Sequence, residues 1–308
     1  MERVIVTGGA GFIGSHIVDR LILNGFEVAV LDNMLSGFKS NINQKATFYE
    51  IDLYSDDLDV IIEEFKPSLV YHLAAQSSVS VSESNPNKDA NINILGSVNL
   101  YKACNNSTVK RIILSSTGGA IYGNQKILPC SEQNKLNPIS PYGVSKLASE
   151  KYLEVFSELY GYEYTILRYG NVYGPRQNPS GEAGVISIFA GLLLNGEVAK
   201  IFGDGSQERD YIYISDVVDA NILALNSANK SIYNISTGQG LSVIKIFNMI
   251  KTLTKSTNEP IYMPSRKSDV DKIILDNTKA LNDLKWEPKV SIENGISSTI
   301  NYLLEILR

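Results

Sequence analysis

The chain has 308 residues, of which 44% are hydrophobic and 20% charged, enough to bury a sizeable core in one large or two modest domains. No apolar run approaches the roughly 20 residues that a membrane-spanning helix needs, and no signal peptide precedes the first apolar run, so we expect a cytoplasmic protein without a membrane partner. The net charge of −5, with no basic run, argues against a nucleic-acid partner, and two cysteines with two histidines do not indicate a metal site.

The chain opens with a strand, a glycine turn and a helix in immediate succession. The apolar run 4–6 is followed by Gly8, Gly11 and Gly14, and the helical pattern begins at Phe12. At such a turn a helix N-terminus presents free N–H groups and the positive end of its dipole to a pyrophosphate, while glycine lets the backbone approach it closely. The segment therefore predicts a dinucleotide site.

The second predicted strand, 27–31, is followed by Asp32. An acid about this far beyond the glycine turn accepts hydrogen bonds from the adenosine ribose hydroxyls. No Lys or Arg follows it before Lys39, and an anion at this place repels a 2′-phosphate, so the sequence predicts NAD and not NADP. The alternative is an aspartate that only caps a turn at the end of the strand.

Short β-rich runs alternate with helical patterns through the first half, which is typical of a doubly wound parallel sheet of the Rossmann type. The expected strands are 4–6, 28–31, 47–51, 69–73, 112–114 and 164–167, and the expected helices are 12–23, 57–65, 89–104 and 142–160. Beyond Tyr169 the sequence becomes rich in Gly, Pro and Asn. We therefore expect an α/β fold with an NAD-binding domain over 1–170 and a smaller substrate-binding α/β region over 171–308, some of whose segments return to the first domain.

Tyr142 and Lys146 lie four residues apart in a predicted helix, so that the phenol and the ammonium share one face. Ser140 and Pro141 precede them as N-cap and first helical residue, which puts the pair at the start of the helix. Together with a positively charged nicotinamide ring, the lysine would stabilise the phenolate and make Tyr142 a general base near neutral pH. The alternative is an exposed pair without a chemical role.

Three hydroxyl side chains end the fifth predicted strand at Ser115, Ser116 and Thr117, and Gly118 and Gly119 follow them. A hydroxyl at the end of a parallel strand faces the edge of the sheet where ligands bind, so Thr117 is a candidate to hydrogen-bond a reacting oxygen. The alternative is a Ser/Thr turn without a catalytic role.

These motifs, with four later segments, resemble the extended short-chain dehydrogenase/reductase family, and the closest likeness is to its UDP-glucose 4-epimerases. The later segments are 167–176, 203–211, 233–238 and 266–270, and the likeness runs nearly end to end. The resemblance implies inversion of carbon 4 of a UDP-hexose, UDP-glucose or UDP-galactose, through a transient 4-keto sugar, with NAD as cofactor. It also implies a homodimer, and it leaves open whether N-acetylated hexoses are accepted.

The resemblance implies roles for individual residues. Thr117, Tyr142 and Lys146 would form the catalytic group, with Ser116 as the alternative to Thr117. Cofactor binding is implied for Gly8, Gly11, Phe12, Ile13, Gly14, Asp32, Asn33, Ser36, Asp52, Leu53, Leu73, Ala74, Ala75, Gln76, Asn93, Tyr142, Lys146 and Tyr169. Substrate binding is implied for Thr117, Asn171, Val185, Arg209, Arg266 and Asp269. The two arginines are the forked donors that a diphosphate needs, and the alternative for each is a surface salt bridge.

Two other functions stay open. One is a nucleotide-sugar 4,6-dehydratase or a related decarboxylase of the same family; the dehydratase usually has an Asp-Glu pair directly after the threonine, where this chain has Gly118 and Gly119. The other is a non-catalytic NAD-binding sensor or scaffold, because a fold does not dictate function. Such proteins commonly lose the tyrosine or the lysine, and this chain has both.

Overall fold

The computed structural model describes residues 1–105, 107–180, 184–266 and 269–306. Lys267 and Ser268, in the segment 266–270 named above, lie outside the described residues. The strands are β1 Arg3–Thr7, β2 Glu27–Asp32, β3 Thr47–Glu50, β4 Leu69–His72, β5 Arg111–Thr117, β6 Glu163–Tyr169, β7 Asn171–Tyr173, β8 Lys200–Phe202, β9 Glu208–Tyr213, β10 Ser231–Ile235, β11 Gly240–Ser242 and β12 Ile261–Met263. The helices are α1 Phe12–Leu23, α2 Asp57–Phe65, α3 Val79–Ser84, α4 Pro86–Ala90, α5 Gly96–Ala103, α6 Gly118–Ile121, α7 Pro141–Tyr160, α8 Val185–Leu194, α9 Ile214–Leu223, α10 Val243–Thr254, α11 Thr278–Leu284 and α12 Ile292–Ile306.

Within the described ranges, seven strands form one sheet in the order β10-β6-β5-β4-β1-β2-β3. β1 pairs in parallel with both β2 and β4, and the outer pairs β2–β3 and β4–β5 are parallel as well. The chain thus runs outward from β1 to β3 and then returns to β4 on the other side of β1, which is the doubly wound arrangement. The predicted Rossmann-type α/β fold is confirmed.

The central strands are buried on both faces, which explains their continuous apolar runs. Val4, Ile5 and Val6 of β1 and Val30 of β2 have no exposed surface. A strand covered by helices on both sides has no polar face, so its sequence does not alternate.

The chain divides into two compact units. The first consists of Met1–Thr117, Ser140–Arg168 and Val218–Tyr233, and the second of Gly118–Ile139, Tyr169–Val217 and Asn234–Arg308. Each has its own apolar core, which in the second unit joins α8, α10 and α12. The second unit also contains a three-stranded sheet in the order β11-β9-β7 and a two-stranded sheet of β12 and β8.

The region predicted as one helix over 89–104 is more irregular than expected. It begins earlier, at Pro86 of α4, and a π-helical turn, Asn91–Leu95, separates α4 from α5. The wider turn accompanies the inward placement of Asn93, which is only 2% exposed. Such π-turns occur often at functional sites. None of the helices in the described ranges is both long and apolar enough to span a bilayer.

Candidate active site

The glycine turn between β1 and α1 leaves no room for side chains. Gly8 has a φ of +70°, and a Cβ atom there would lie 2.7 Å from the Ala74 backbone nitrogen. A Cβ on Gly14 would lie 2.2 Å from the Gly8 carbonyl oxygen. Gly11 is the N-cap of α1 and has no side chain that could accept from the first-turn N–H groups of this helix. The turn fits the pyrophosphate of a dinucleotide.

The Asp32 carboxylate holds the backbone of this turn. This carboxylate, in a residue only 7% exposed, accepts hydrogen bonds from the backbone nitrogens of Ala10, at 3.0 Å, and Met34, at 2.9 Å. A carboxylate has about four acceptor positions, so acceptor capacity remains for the hydroxyls of an adenosine ribose. The turn-capping alternative and the ribose-binding prediction are therefore compatible.

Most of the other candidate cofactor residues lie at or after the carboxyl ends of neighbouring strands, where ligands of doubly wound sheets bind, and Asn93 lies in the π-helical turn. The Asn33 amide donates to the Asp52 carboxylate at 2.9 Å, and the side-chain amide of Asn93 exchanges two hydrogen bonds with the Gln76 backbone, both 2.9 Å long. Phe12 and Ile13 begin α1, Ser36 is exposed in the loop after β2, Leu53 follows β3, Leu73, Ala74 and Ala75 follow β4, and Tyr169 ends β6. Of the whole set, Tyr169 alone belongs to the second unit.

The structure brings Thr117, Tyr142 and Lys146 together. Ser140 caps α7 by accepting from the Gly143 nitrogen, and the tyrosine and the lysine lie in the first two turns of this helix. Thr117 ends β5, and its side chain hydrogen-bonds the Tyr142 hydroxyl. The Lys146 ammonium is buried and donates to the Ser115 carbonyl oxygen at 2.6 Å.

Burial perturbs both ionisable groups. It raises the pKa of Tyr142 to about 12; the hydrogen bond from Thr117 lowers it in part, and the nearby Asp89 carboxylate raises it further. Burial lowers the pKa of Lys146 to about 8, against the opposing effect of Glu150 and Asp89. The ligand-free protein therefore keeps Tyr142 protonated at neutral pH, although the sequence predicts a lowered pKa once a cationic ring is bound.

Ser116, the alternative to Thr117, lies in a separate hydrogen-bond network. Its hydroxyl donates to the Glu150 carboxylate. The same carboxylate accepts from the Arg168 guanidinium at 3.1 Å and 2.6 Å, and neither ionic side chain is more than 2% exposed. Neighbouring residues of a strand point to opposite faces, so only one of the two hydroxyls can face Tyr142.

Sequence reasoning missed three residues around the pair: the Ser115 carbonyl, Glu150 and Asp89. Helical spacing could have indicated two of them. Glu150 follows Lys146 by one helical turn, and Asp89 precedes Asn93 by one turn, so each pair lies on one face of a helix. His72 also lies here, bonded to Thr7 and Ser97. Burial lowers its pKa to about 3, helped by Lys146, so the imidazole is neutral.

The candidate substrate residues lie in the second unit. Arg209 of β9 is close enough to Asp269 for the carboxylate to oppose the lowering of its pKa by burial. The Arg266 guanidinium stacks 3.8 Å from the centroid of the Phe202 ring, and the Arg266 carbonyl accepts from the Asp269 nitrogen at 3.4 Å. Arg209, Arg266 and Asp269 are thus connected by contacts.

Asn171 and Val185 occupy other parts of the second unit. Asn171 begins β7 and lies in register with Tyr211 of β9, two residues from Arg209 along that strand. Val185 begins α8 and packs against the apolar core. The Tyr211 hydroxyl, missed from sequence, is buried and has no hydrogen-bond partner within the described ranges.

With this geometry, the fold and the site define an NAD-binding enzyme of the Rossmann class. The chain matches the NAD dependent epimerase/dehydratase family over residues 4–236, and it belongs to that family. The predicted resemblance to the extended short-chain dehydrogenases/reductases is confirmed.

Three relatives are similar over nearly their whole length. The UDP-glucose 4-epimerase of Mycolicibacterium smegmatis is 40% identical over 306 residues, which cover 97% of this chain and 98% of the relative. The crystal structure of UDP-glucose 4-epimerase from Thermotoga maritima with UDP-glucose has a TM-score of 0.97 at 50% identity, covering 99% of this chain and 100% of that one. The UDP-glucose 4-epimerase of Thermus thermophilus in complex with NAD has a TM-score of 0.93 at 41% identity, covering 98% of this chain and 99% of that one.

Proposed function

We propose that this protein is an NAD-dependent UDP-hexose 4-epimerase that interconverts UDP-glucose and UDP-galactose through a transient 4-keto sugar. The observation that carries the proposal is the cluster of Thr117, Tyr142 and Lys146 at the carboxyl edge of a dinucleotide-binding sheet. Relatives named UDP-glucose 4-epimerase, 40% and 50% identical to this chain over nearly its full length, support the choice of substrate.

The cofactor site is suited to NAD. The N–H groups at the start of α1 would hold the pyrophosphate, and the free acceptor positions of Asp32 would hold the adenosine ribose. When bound, NAD accepts a hydride from carbon 4 of the sugar and returns it to the opposite face, so that no net oxidation occurs. Lys146, fixed by the Ser115 carbonyl, would contact the nicotinamide ribose.

The protein supplies the proton chemistry through one tyrosine. Tyr142 removes the proton of the 4-hydroxyl group in the first half-reaction and returns it in the second. The single hydroxyl proton of Thr117 favours the phenolate when it is donated to Tyr142, and it can polarise the sugar oxygen when the tyrosine is protonated. Because burial raises the pKa of Tyr142 to about 12, the phenolate needs positive charge beside it, and Lys146 provides part of that charge.

The nucleotide part of the substrate is proposed to bind in the second unit. Arg209 and Arg266 would meet the diphosphate, and Asp269 would accept from the uridine ribose. The unpartnered hydroxyl of Tyr211 lies on the same strand face as Arg209, two residues along β9. A buried hydroxyl without a partner is costly, so it suits a place where a polar ligand arrives.

The dehydratase alternative lacks room as well as residues. A Cβ atom on Gly118 would lie 2.3 Å from Cδ1 of Leu275, which is fully buried. A side chain directly after Thr117 would therefore require the buried Leu275 side chain to move. A non-catalytic scaffold would have no need of Tyr142 bonded to Thr117 beside a buried Lys146.

We also propose a cytoplasmic homodimer. The cytoplasm supplies both nucleotide sugars and NAD. A dimer would cover apolar residues that the monomer leaves exposed. On α7, Val155 and Leu159 are 54% and 66% exposed and Val144 is nearly as exposed as Val155, as is Leu95 at the end of the π-helical turn. Sedimentation of Leu159→Glu beside the wild type tests this, because a charge at a dimer contact would yield monomers, and an unchanged mass would contradict it.

The activity is tested by incubating the purified protein with UDP-galactose and resolving the products by NMR. We expect UDP-glucose to accumulate to a mixed equilibrium without net formation of NADH. A 4-keto-6-deoxy product would instead identify a dehydratase. Parallel incubations with N-acetylated UDP-hexoses define the substrate range, and turnover of no UDP-hexose would contradict the epimerase proposal.

A further inference from the structure

A buried carboxylate beside the catalytic pair has no assigned function. Asp89 of α4 is 1% exposed. Its Oδ1 atom accepts from the Gln76 side-chain amide at 2.7 Å and from the Asn93 amide at 3.1 Å. Burying a carboxylate costs free energy unless hydrogen bonds or opposite charge compensate, so its position needs an explanation.

Hydrogen bonds connect this carboxylate to the first turn of α7. The Asn93 amide that donates to Asp89 also donates to the Ser145 hydroxyl at 3.1 Å. Ser145 in turn donates to the carbonyl oxygen of Tyr142 at 3.0 Å. A movement of Asp89 would therefore be transmitted to the backbone of the tyrosine.

Few charged or titratable groups face the Tyr142–Lys146 pair. From β4 comes His72, which is neutral, and from α7 itself comes Glu150, which is paired with the Arg168 guanidinium. Asp89 of α4 forms no ion pair in the part of the chain that the structure describes. Its negative charge acts on Lys146 and Tyr142, raising the pKa of each.

We propose that Asp89 is a positioning residue of the catalytic pair: it holds the Asn93 amide against Ser145 at the start of α7, and its negative charge adds to that of Glu150 in favouring the Lys146 ammonium. The proposal rests on the proposed function only through the roles of Tyr142 and Lys146. Without this charge, Glu150 would be left to oppose the effect of burial, which favours the neutral lysine.

The test is Asp89→Asn, which keeps the shape of the side chain and removes the charge. Glu83→Gln is the matched control, because it removes an exposed carboxylate from the adjacent helix α3. The first measurement is the pKa of Lys146 in the ligand-free protein, followed by NMR of ¹³C-labelled lysine and assigned by loss of the signal in Lys146→Arg. We expect a fall of about one unit or more from the wild-type value near 8 in Asp89→Asn, and no change in Glu83→Gln.

The second measurement is the pH profile of kcat in the loaded enzyme. In the proposed mechanism, kcat rises as Tyr142 loses its proton and falls as Lys146 loses its own. Removing a negative charge lowers the pKa of both groups, so the rising and the falling limb of the profile should both move to lower pH in Asp89→Asn. Ser145→Ala breaks the link to α7 but keeps the charge, so its kcat should fall with both limbs in place. An equal shift in Ser145→Ala, or an unmoved Lys146 pKa in Asp89→Asn, would overturn the proposal.

Asp89→Ser removes the same charge in a smaller side chain, and it replaces the asparagine variant if that variant does not fold. The lysine titration requires neither substrate nor turnover. A wild-type protein that fails to epimerise any UDP-hexose would contradict the proposed function, while the titration would still decide whether Asp89 controls Lys146.

Discussion

Two adjacent hydroxyl residues offer a sharp test of the catalytic assignment. Thr117→Val keeps the shape of the side chain and removes the hydrogen bond to Tyr142. A positioned donor to developing negative charge contributes about 10²–10³ to kcat, so we expect a loss of that size with substrate affinity little changed. Ser116→Ala removes one donor to Glu150, which still accepts two hydrogen bonds from Arg168. We expect Ser116→Ala to lower the free energy of unfolding by about 1–3 kcal/mol and to leave kcat almost unchanged.

Both variants are measured with saturating UDP-galactose for kcat and by urea denaturation for the free energy of unfolding. The reasoning requires the two effects to separate, with turnover lost at Thr117 and stability lost at Ser116. If Ser116→Ala lost turnover while Thr117→Val kept it, the assignment would be wrong, and Ser116 would take the place of Thr117. Equal loss in both variants would mean that the strand end acts only by positioning α7.

Three other outcomes are expected. Tyr142→Phe should bind NAD and UDP-glucose with ordinary affinity, measured by calorimetry, and should lose about two to four orders of magnitude in kcat; near-normal turnover would exclude Tyr142 as the base. Asp32→Ala should narrow the preference of the apoprotein for NAD over NADP by removing both a ribose acceptor and the repulsion of a 2′-phosphate, and equal wild-type affinities would contradict this. Glu150→Leu should lower the free energy of unfolding by about 3–5 kcal/mol, because it leaves the buried Arg168 guanidinium without this carboxylate, and Glu150→Leu/Arg168→Met should recover part of the loss.

The parts of the site that could be predicted from the sequence are those whose structure depends on residues close together in the chain. The turn at Gly8 and Gly14 is required by backbone contacts within a few residues or with the next strand, so its composition follows directly from its geometry. The N-cap at Ser140 and the spacing of Tyr142 and Lys146 are likewise properties of a single helix. A helical period and a capping preference suffice to predict them.

The parts that the sequence did not predict depend on contacts between distant segments. The π-turn around Asn93 becomes understandable only with its partners Gln76, Asp89 and Ser145, the last of which is 52 positions away in the chain. The choice between Ser116 and Thr117 could not be predicted for the same reason. Alternation along a strand predicts that one of them faces the helix, but not which, since the face is decided by packing.

Burial has opposite consequences for the structure and for the chemistry of this site. The hydrogen bonds of the partly buried Tyr142 and the buried Lys146 hold both side chains, yet burial disfavours the phenolate and the ammonium that the proposed mechanism needs. Thr117 favours the phenolate, and Glu150 and Asp89 favour the ammonium, although Asp89 also disfavours the phenolate. In the proposed mechanism the remaining positive charge would come from a bound oxidised nicotinamide, so Tyr142 would become a base only beside a hydride acceptor. This coupling would keep proton removal and hydride transfer in step, which an epimerase without net oxidation requires.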